Sequence, residues 1–448
     1  MVQTVTASKR TLIVGHGGRE AALATQMARH SKLYAFMGHA NPTIHEMVES
    51  SGGTYELGDV CSPSDVSRFA RDNSVDIAMV SSDNPLEAGV VDALGDAGVK
   101  SVGPTRVGAE IEWNKIYCRE VIDEIAPGAN PEYAIARTAD EVGAAVERVA
   151  SRRGPVVVKP IGLAGGKGVK VVGPHLKDND EAVSYAHDVI TSGRHGGAVV
   201  IEERIDAPEF TIQAITDGKV VFFPPATYDY PYRFEGDLGP GTGGMGSCTL
   251  PGGLFPFLDR RSYEQACGIV SEVIEYLGAK RRHFTGCMNA GFFATADGVK
   301  VIELNARFGD PEGINIMTLF EGNWVEVMES ICSGSLSAGD VALSDEASVV
   351  TYLVSPEYAL SGGAVHEFAA DLDAINATGA HLYFSSAVET GRMRFATVGT
   401  SRALAITARS AQLETARSTV ADAISVGVRG DLEWRCDIGE FPTDQVEH

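Results

Sequence analysis

Short apolar runs and helical patterns alternate along the first hundred residues, and this alternation constrains the fold more than any other feature. Apolar residues that recur every three or four positions indicate helices, whereas short apolar runs between turns indicate buried strands. The predicted strands are Thr11–Gly15, Leu33–Met37, Val75–Ser81 and Lys100–Gly103, and the predicted helices are Arg19–His30 and Leu86–Ala97. Elements in this order pack as a doubly wound parallel sheet, so we predict an α/β protein.

The pattern changes after Gly103-Pro104, which predicts a domain boundary near that point. Thr138 and Glu141 have the spacing of a capping box and predict a helix that continues to Arg152. Further strands are predicted at Pro155–Pro160, Val169–Val172, Ala198–Glu202 and Val299–Leu304. Residues 236–253 are rich in glycine and predict a long functional loop. From residue 336 the pattern becomes strands and one helix, with no obvious chemistry.

The composition argues against several classes of protein. The 448 residues include 37 Lys and Arg against 60 Asp and Glu, and the net charge of −23 argues against nucleic acid or an anionic membrane as partner. No apolar run is long enough to span a bilayer, and the first residues lack the apolar core of a signal peptide. Seven scattered cysteines without zinc-site spacing indicate a reduced protein, so we expect a cytoplasmic one.

The first glycine-rich loop, Gly15 to Glu20, follows the first strand and resembles a dinucleotide-binding fingerprint. Glu20 occupies the position of the third glycine, however, and the second strand ends at Met37 without the acidic residue that binds a ribose hydroxyl. These differences argue against NAD. We favour a phosphate-bearing ligand at the start of the following helix, because free backbone N–H groups point there. Glycines that serve only a tight turn are the alternative.

A second glycine-rich segment, Gly162–Gly168, lies between two predicted strands. It does not match a Walker A loop, because Gly168 replaces the Ser or Thr and Ile161 replaces the first glycine. Such a hairpin can cover a triphosphate with backbone N–H groups, while Lys159 and Lys167 add positive charge. A flexible hairpin without a ligand is the alternative.

Acidic residues end the next predicted strand. Backbone groups near Glu202 and Ile205 can pair with the edge of an adenine, and Glu209 can accept hydrogen bonds from ribose hydroxyls. Solvated acids at a strand end are the alternative interpretation of this segment.

The strand Val299–Leu304 is followed by further polar residues at alternating positions. Residues two apart on a strand share a face, so Glu303, Asn305 and Arg307 are predicted to lie in one row. Glu303 and Asn305 then offer two hard oxygen ligands, which suits Mg²⁺ with phosphate and water as its other ligands. Arg307 is placed to contact a phosphoryl group. A purely structural polar pair is the alternative.

Taken in this order, these elements resemble the ATP-grasp superfamily, and within it the glycinamide ribonucleotide synthetase family of purine biosynthesis. The resemblance covers nearly the whole chain. The family's GxGGREHALA corresponds to Gly15–Ala24, its GPEAPL to 81–86, and its GSKxFxK to 113–119, where the first lysine is kept. Its GPNTGGMG corresponds to Gly239–Gly246 (GPGTGGMG), and its VIEFNxRFGDPE to Val301–Glu312 (VIELNARFGDPE). The last two motifs are long and highly specific.

The resemblance implies a fold with three domains. These are an N-terminal Rossmann-like domain of the pre-ATP-grasp type at residues 1–105, an ATP-grasp domain at 106–335 with a lid at about 125–195, and a small α+β domain at 336–448. It also implies ATP-dependent ligation of glycine to 5-phosphoribosylamine through glycyl phosphate, with Mg²⁺ or Mn²⁺. We therefore expect only small-molecule substrates as partners, bound by a monomer or homodimer.

The same resemblance assigns roles residue by residue. The predicted ATP-binding residues are Lys115, Lys159, Gly165, Gly166, Lys167, Glu202, Glu203, Ile205 and Glu209. The residues predicted to bind the other substrates are Gly17, Gly18, Asp83, Asp229, Arg233, Gly243, Gly244 and Asp310. Arg307, Lys167 and Asp310 are the predicted catalytic residues, and Glu303 and Asn305 are the predicted metal ligands.

Two segments depart from the family pattern. The segment that corresponds to the family's QDHKR is 228–233, where Asp229 is kept, the His-Lys pair becomes Tyr230-Pro231, and the arginine moves by one to Arg233, which is predicted to compensate. The histidine of the family's opening motif is Ala21. Both changes are expected near the amine-substrate pocket. A ligase for a different carboxylate and amine therefore stays open as an alternative, as does a nucleotide sensor without catalysis.

Overall fold

The computed structural model describes residues 9–163, 168–360 and 362–441. Its first unit contains strands β1 (Arg10–Val14), β2 (Lys32–Met37), β3 (Tyr55–Leu57), β4 (Ile77–Val80) and β5 (Lys100–Val102), and helices α1 (Gly18–Ala28), α2 (Pro42–Ser50), α3 (Pro63–Asp72), α4 (Asp83–Ala88) and α5 (Val90–Asp96). The strands form a parallel sheet in the order β3-β2-β1-β4-β5. The predicted doubly wound parallel sheet is confirmed. The predicted helix Leu86–Ala97 is instead two helices, because Gly89 adopts a φ of 85° between them.

The second unit carries an antiparallel sheet in the order β6-β9-β7-β8. Its elements, with the two helices that precede them, are α6 (Glu110–Trp113), α7 (Lys115–Ile125), β6 (Tyr133–Ala136), α8 (Val142–Arg153), β7 (Val156–Pro160), β8 (Lys170–Val171), α9 (Asn179–Thr191) and β9 (Val199–Glu203). The predicted capping box is present, since the Glu141 carboxylate accepts a hydrogen bond from the Thr138 N–H at 3.2 Å. The predicted residues Gly165, Gly166 and Lys167 lie outside the described part of the chain.

The third unit is built on an antiparallel sheet in the order β11-β10-β16-β17. This stretch contains β10 (Glu209–Thr216), β11 (Val221–Phe222), β12 (Tyr228–Asp229), β13 (Tyr232–Phe234), β14 (Leu238–Gly241), β15 (Gly246–Thr249), α10 (Arg260–Ala279), β16 (Gly286–Thr295), β17 (Gly298–Asn305), α11 (Glu312–Leu319), β18 (Phe320–Glu321), α12 (Trp324–Ser333) and β19 (Ala342–Leu343). The prediction of one continuous loop over residues 236–253 is wrong. Strand β15 interrupts it, because its buried residues pair with strands on both sides.

The C-terminal stretch adds β20 (Ala347–Val354), β21 (Glu367–Ala370), α13 (Leu372–Ala377), β22 (His381–Phe384), β23 (Ala387–Gly391), β24 (Arg394–Thr397), β25 (Arg402–Ser410), α14 (Leu413–Gly427) and β26 (Val428–Gly430). It holds two helices rather than the predicted one. The missed helix α13 has only six residues and starts where the Asp371 side chain accepts from the Ala374 N–H at 3.0 Å. Helices this short leave almost no periodic signal.

The C-terminal strands share a sheet with earlier parts of the chain. The strand order β12-β15-β20-β25-β22 joins residues 228–249 to strands that begin at residue 347. Leu12, Phe292 and Leu404, from three different sheets, belong to one continuous buried apolar cluster. This shared core fixes the sheets around a common cleft. Within the residues that the structure describes, no helix is long and apolar enough to cross a membrane.

Candidate active site

A cavity of about 1020 Å³ lies between the sheets and contains most of the predicted site residues. Those that line it are Gly17, Asp83, Lys115, Lys159, Glu202, Glu203, Ile205, Glu209, Asp229, Gly243, Glu303, Asn305, Arg307 and Asp310. They lie between positions 17 and 310 of the chain, and the tertiary fold therefore brings together residues separated by more than two hundred positions.

Two lysines, Lys115 and Lys159, line the cavity. Lys115, the first residue of α7, donates from Nζ to the Gly162 carbonyl at 3.1 Å, and Lys159 on β7 donates to the Ile302 carbonyl at the same distance. Burial lowers the pKa of Lys115, as does the neighbouring charge of Lys159, while Glu303 raises it. Two close ammonium groups in a shielded cavity form a site that favours a polyanion.

The carboxylate of Glu202 is already held by protein cations. It lies 2.7 Å from the Arg119 guanidinium and 2.8 Å from the Lys159 ammonium, and its side chain is buried. Burial opposes ionisation, but these two charges hold the pKa of Glu202 below its usual value. Glu202 is therefore not a solvated strand-end acid. Arg119 stands where the family motif has its second lysine, and the sequence analysis gave it no role.

Glu203, which ends β9, and Glu209, which begins β10, differ in their contacts and exposure. Glu203 accepts a hydrogen bond from the Glu132 N–H at 2.7 Å and lies 3.3 Å from Arg153. Glu209 begins β10, is exposed, and lines the cavity.

Nearby, His175 and Tyr232 stack with ring centroids 6.2 Å apart and also line the cavity. The sequence analysis missed this aromatic pair, because its members are 57 positions apart.

The predicted row on strand β17 is present. Asn305 donates from Nδ2 to Glu303 Oε1 at 3.1 Å, and Arg307 donates from Nη2 to Asn305 Oδ1 at 3.3 Å. Burial in the cavity walls opposes ionisation of Glu303, yet the Asn305 hydrogen bond and the charges of Lys115, Lys159 and Arg307 lower its pKa. Glu303 thus offers an ionised carboxylate next to an amide oxygen.

The Glu303 and Asn305 oxygens fit a hard divalent cation. No cluster of three or more His, Cys, Asp or Glu suited to a metal occurs among the residues with described placement. A site with only two protein ligands suits Mg²⁺, which keeps waters and takes phosphate oxygens as further ligands. The residues therefore fit a metal that arrives with a nucleotide.

Glu112, which no sequence motif marks, contacts this row. Its Oε2 accepts from the Ala306 N–H at 2.8 Å, and its Oε1 lies 3.2 Å from Arg307 Nε. Burial raises the pKa of Glu112 to about 7, although Arg307 acts in the opposite direction. A buried acid without a motif of its own gives no signal in a single sequence.

The C-terminal stretch also contributes to the site. Tyr358, Ser385, Ser386, Ser401 and Arg402 line the cavity. The stretch in which the sequence shows no obvious chemistry therefore forms part of the cavity wall. These polar residues follow no motif, and only the shared sheet brings them to the cavity.

Three predicted substrate residues do not line the cavity. Arg233 is 2% exposed, and it donates to Glu433 Oε2 at 2.5 Å and to the Tyr358 carbonyl at 3.2 Å. The prediction that Arg233 is a substrate ligand is therefore corrected, because its side chain is buried against the C-terminal stretch. Gly18 packs against the Tyr352 hydroxyl. Gly244 has a φ of 97° and packs against Pro311 and Asp229. Both glycines therefore pack against side chains near the cavity and do not line it.

Of the residues that depart from the family pattern, Pro231 lines the cavity as expected, whereas Ala21 and Tyr230 do not. Ala21 is fully buried inside α1. Tyr230 is also buried, and its hydroxyl donates to the Glu440 carbonyl at 2.9 Å and accepts from the Gly439 N–H at 2.8 Å. Only Asp229, Pro231 and Tyr232 of this segment line the cavity.

Two family models match consecutive parts of this chain. Residues 9–112 match the N domain of phosphoribosylglycinamide synthetase, and residues 113–313 match its ATP-grasp (A) domain. The chain belongs to the phosphoribosylglycinamide synthetase family. This confirms the resemblance found in the sequence. The sheets described above therefore form an ATP-grasp fold, and the chain is a member of a ligase family.

Individual members of the phosphoribosylglycinamide synthetase family match the whole chain. The phosphoribosylamine–glycine ligase of Methanothermobacter thermautotrophicus is 38% identical over 443 residues, which cover 98% of each chain. That of Pyrococcus furiosus is 39% identical over 434 residues, which cover 96% of this chain and 94% of the relative. The crystal structure of the Thermotoga maritima phosphoribosylamine–glycine ligase has the same fold, with a TM-score of 0.79 at 20% identity, and the match covers 96% of this chain and all of that one.

Proposed function

We propose that the protein is an ATP-dependent phosphoribosylamine–glycine ligase of purine biosynthesis. It joins glycine to 5-phosphoribosylamine and releases glycinamide ribonucleotide, ADP and phosphate. One observation carries the proposal: the Glu303, Asn305 and Arg307 row lines the same cavity as Lys115 and Lys159. The names of the full-length relatives supply the identity of the two substrates.

In the first step, a carboxylate oxygen of glycine attacks the γ-phosphorus of ATP. A new O–P bond forms glycyl phosphate, and the bond to the β-phosphate oxygen breaks to release ADP. Phosphoryl transfer of this kind needs positioning and charge neutralisation more than covalent help. Lys115 and Lys159 hold the phosphates, and Arg307 contacts the transferred group. The resemblance to the family also assigns Gly165, Gly166 and Lys167 to ATP binding.

A divalent cation, Mg²⁺ or Mn²⁺, would be held by Glu303 and Asn305 and would neutralise charge on the phosphates. The adenine binds along Glu202, Glu203 and Ile205, and Glu209 accepts from the ribose hydroxyls. In this arrangement Glu202 acts through its backbone, because its carboxylate is bound by Arg119 and Lys159.

In the second step, the amine of phosphoribosylamine attacks the carbonyl carbon of glycyl phosphate. A C–N bond forms, the C–O bond to phosphate breaks, and the nitrogen loses its proton to the departing phosphate. Asp310 and Asp229 line the cavity on this side, together with Gly17, Asp83 and Gly243. Water must be excluded here, because it competes with the amine for the acyl phosphate.

We infer further that the chain has domains at 1–105, 106–335 and 336–448, with a lid at about 125–195, and acts as a monomer or homodimer.

All seven cysteines lie in the described residues and are free thiols, which supports a reducing cytoplasmic location.

The test uses purified protein with ATP, Mg²⁺, glycine and phosphoribosylamine made in situ from ribose 5-phosphate and ammonia. We expect ADP and glycinamide ribonucleotide in equal amounts, and almost none when either glycine or ribose 5-phosphate is omitted. ADP release that does not require both substrates contradicts the proposal and favours a ligase for another carboxylate and amine. ATP binding without turnover of any amine supports a sensor instead.

A further inference from the structure

Both side-chain oxygens of Asp310 are held by residues of the C-terminal sheet. Tyr352 on β20 donates from its hydroxyl to Asp310 Oδ1 at 2.6 Å, and Arg402 on β25 donates from Nη2 to Asp310 Oδ2 at 2.9 Å. The Arg402 guanidinium also lies over the Tyr352 ring, 4.3 Å from its centroid. With both oxygens bound, the Asp310 side chain can take only one orientation toward the cavity.

Arg402 connects Asp310 to the glycine-rich segment opposite. Its Nη1 donates to the Gly243 carbonyl at 2.5 Å, to the Gly244 carbonyl at 3.1 Å and to the Asp310 carbonyl at 2.7 Å. Gly244 packs directly against the Asp229 carboxylate, and a Cβ at this position would collide with it. One guanidinium thus fixes the relative positions of the two acids that line the amine side of the cavity.

The surroundings of this contact are shielded from water. Tyr352 is fully buried, and the side chains of Arg402 and Asp310 are each 12% exposed. A planar guanidinium with several fixed donors is suited to this task, because it binds carboxylate and carbonyl oxygens in defined directions. A lysine in its place offers charge without that geometry.

We propose that Arg402 and Tyr352 are positioning residues that orient Asp310 for the attack of the amine on glycyl phosphate. The inference rests on the proposed function and assigns the C-terminal sheet a role in its second step. When Asp310 is misplaced, the amine is poorly aligned and water takes its place. Glycyl phosphate and water then yield glycine and phosphate, so ATP is consumed without formation of the amide.

The experiment compares Arg402→Met, Arg402→Lys and Tyr352→Phe with the wild-type protein. The readouts are kcat for amide formation, the KM of each substrate, and the ratio of ADP to amide. We expect Arg402→Met to lower kcat for amide by roughly ten- to a hundredfold, with a KM for ATP within about twofold of wild type. The ratio of ADP to amide rises above one. Arg402→Lys and Tyr352→Phe should give smaller changes in the same direction.

A matched control lies on the same strand. Arg409 on β25 contacts Glu321 and Ser344 at the surface, away from the cavity, so Arg409→Met should behave as wild type. An unchanged ratio of ADP to amide in both Arg402→Met and Tyr352→Phe overturns the inference while leaving the proposed function intact. Should Arg402→Met fail to fold, Tyr352→Phe decides, because it removes only a hydroxyl. A wild-type protein that makes no amide refutes the proposed function itself.

Discussion

Arg119 donates a hydrogen bond of 2.7 Å to Glu202, although 83 positions separate the two residues. The same guanidinium donates to the Val301 carbonyl at 2.9 Å and to the Ile302 carbonyl at 2.7 Å. Arg119 therefore ties β9, which precedes the adenine segment, to β17, which carries the row of Glu303 and Asn305. A buried cation therefore connects the proposed nucleotide position to the proposed metal position.

Loss of this cation should weaken ATP binding and stability together. Among the described residues, Arg119→Met leaves the buried Glu202 with Lys159 as its remaining ion-pair partner, so we expect a loss of about 3 kcal/mol in the free energy of unfolding. We also expect the KM for ATP to rise by roughly tenfold. Arg119→Lys should recover part of the lost stability and part of the lost affinity for ATP. Denaturant titration and initial-rate kinetics provide the measurements, and the exposed Arg137→Met is the control. An unchanged KM for ATP would argue against the assigned nucleotide position.

Glu303 is the carboxylate of the proposed metal pair. Glu303→Ala should abolish turnover that depends on Mg²⁺, because Asn305 alone cannot hold the cation. The fold should survive, since Glu303 faces the cavity and its removal leaves no gap in the core. Turnover is measured against Mg²⁺ concentration, and circular dichroism checks the fold. Glu389→Ala, on the exposed part of β23, serves as the control. Normal activity of Glu303→Ala refutes the metal assignment.

Arg233 should matter for stability and not for substrate affinity. Arg233→Met removes the buried contacts to Glu433 and the Tyr358 carbonyl, which should cost about 2 kcal/mol of unfolding free energy. The KM of every substrate should stay within about twofold of wild type. Denaturant titration and steady-state kinetics distinguish the two effects, with Arg392→Met at an exposed position as control. A large rise in the KM of the amine at unchanged stability would restore Arg233 as a substrate ligand.

His16 should make the protein sensitive to acid. Burial lowers its pKa to about 4, His39 acts in the same direction, and Nδ1 accepts the Gly38 N–H at 3.0 Å. The unfolded chain binds a proton near pH 6.5, whereas the folded chain resists protonation until about pH 4. Stability due to neutral His16 is therefore complete above pH 6.5 and is lost as the pH falls toward 4.

His16→Asn keeps a hydrogen-bond acceptor and removes this titration. Between pH 7.5 and pH 5, the wild-type protein should lose on the order of 2 kcal/mol more unfolding free energy than His16→Asn. Denaturant titrations at the two pH values measure the difference, and the exposed His187→Asn should follow the wild type. Identical pH profiles for wild type and His16→Asn would show that His16 is not held neutral.

The sequence by itself determined the features that depend on local spacing. Alternating apolar runs and helices specify the parallel sheet of the first unit, and the two-residue period of a strand places Glu303, Asn305 and Arg307 in one row. The long motifs identify the family, because many positions must match at once. None of these inferences needs contacts between distant residues.

Only the tertiary structure decided which distant side chains meet. Glu202 looks like a free acid until Arg119 and Lys159 are seen to bind it, and Arg233 looks like a substrate ligand until Glu433 is seen beside it. Arg402 carries no motif, yet the pairing of β25 with β20 brings it to Asp310. The physical reason is that hydrogen bonds and charge pairs act over a few ångströms, and only the packed sheets set those distances.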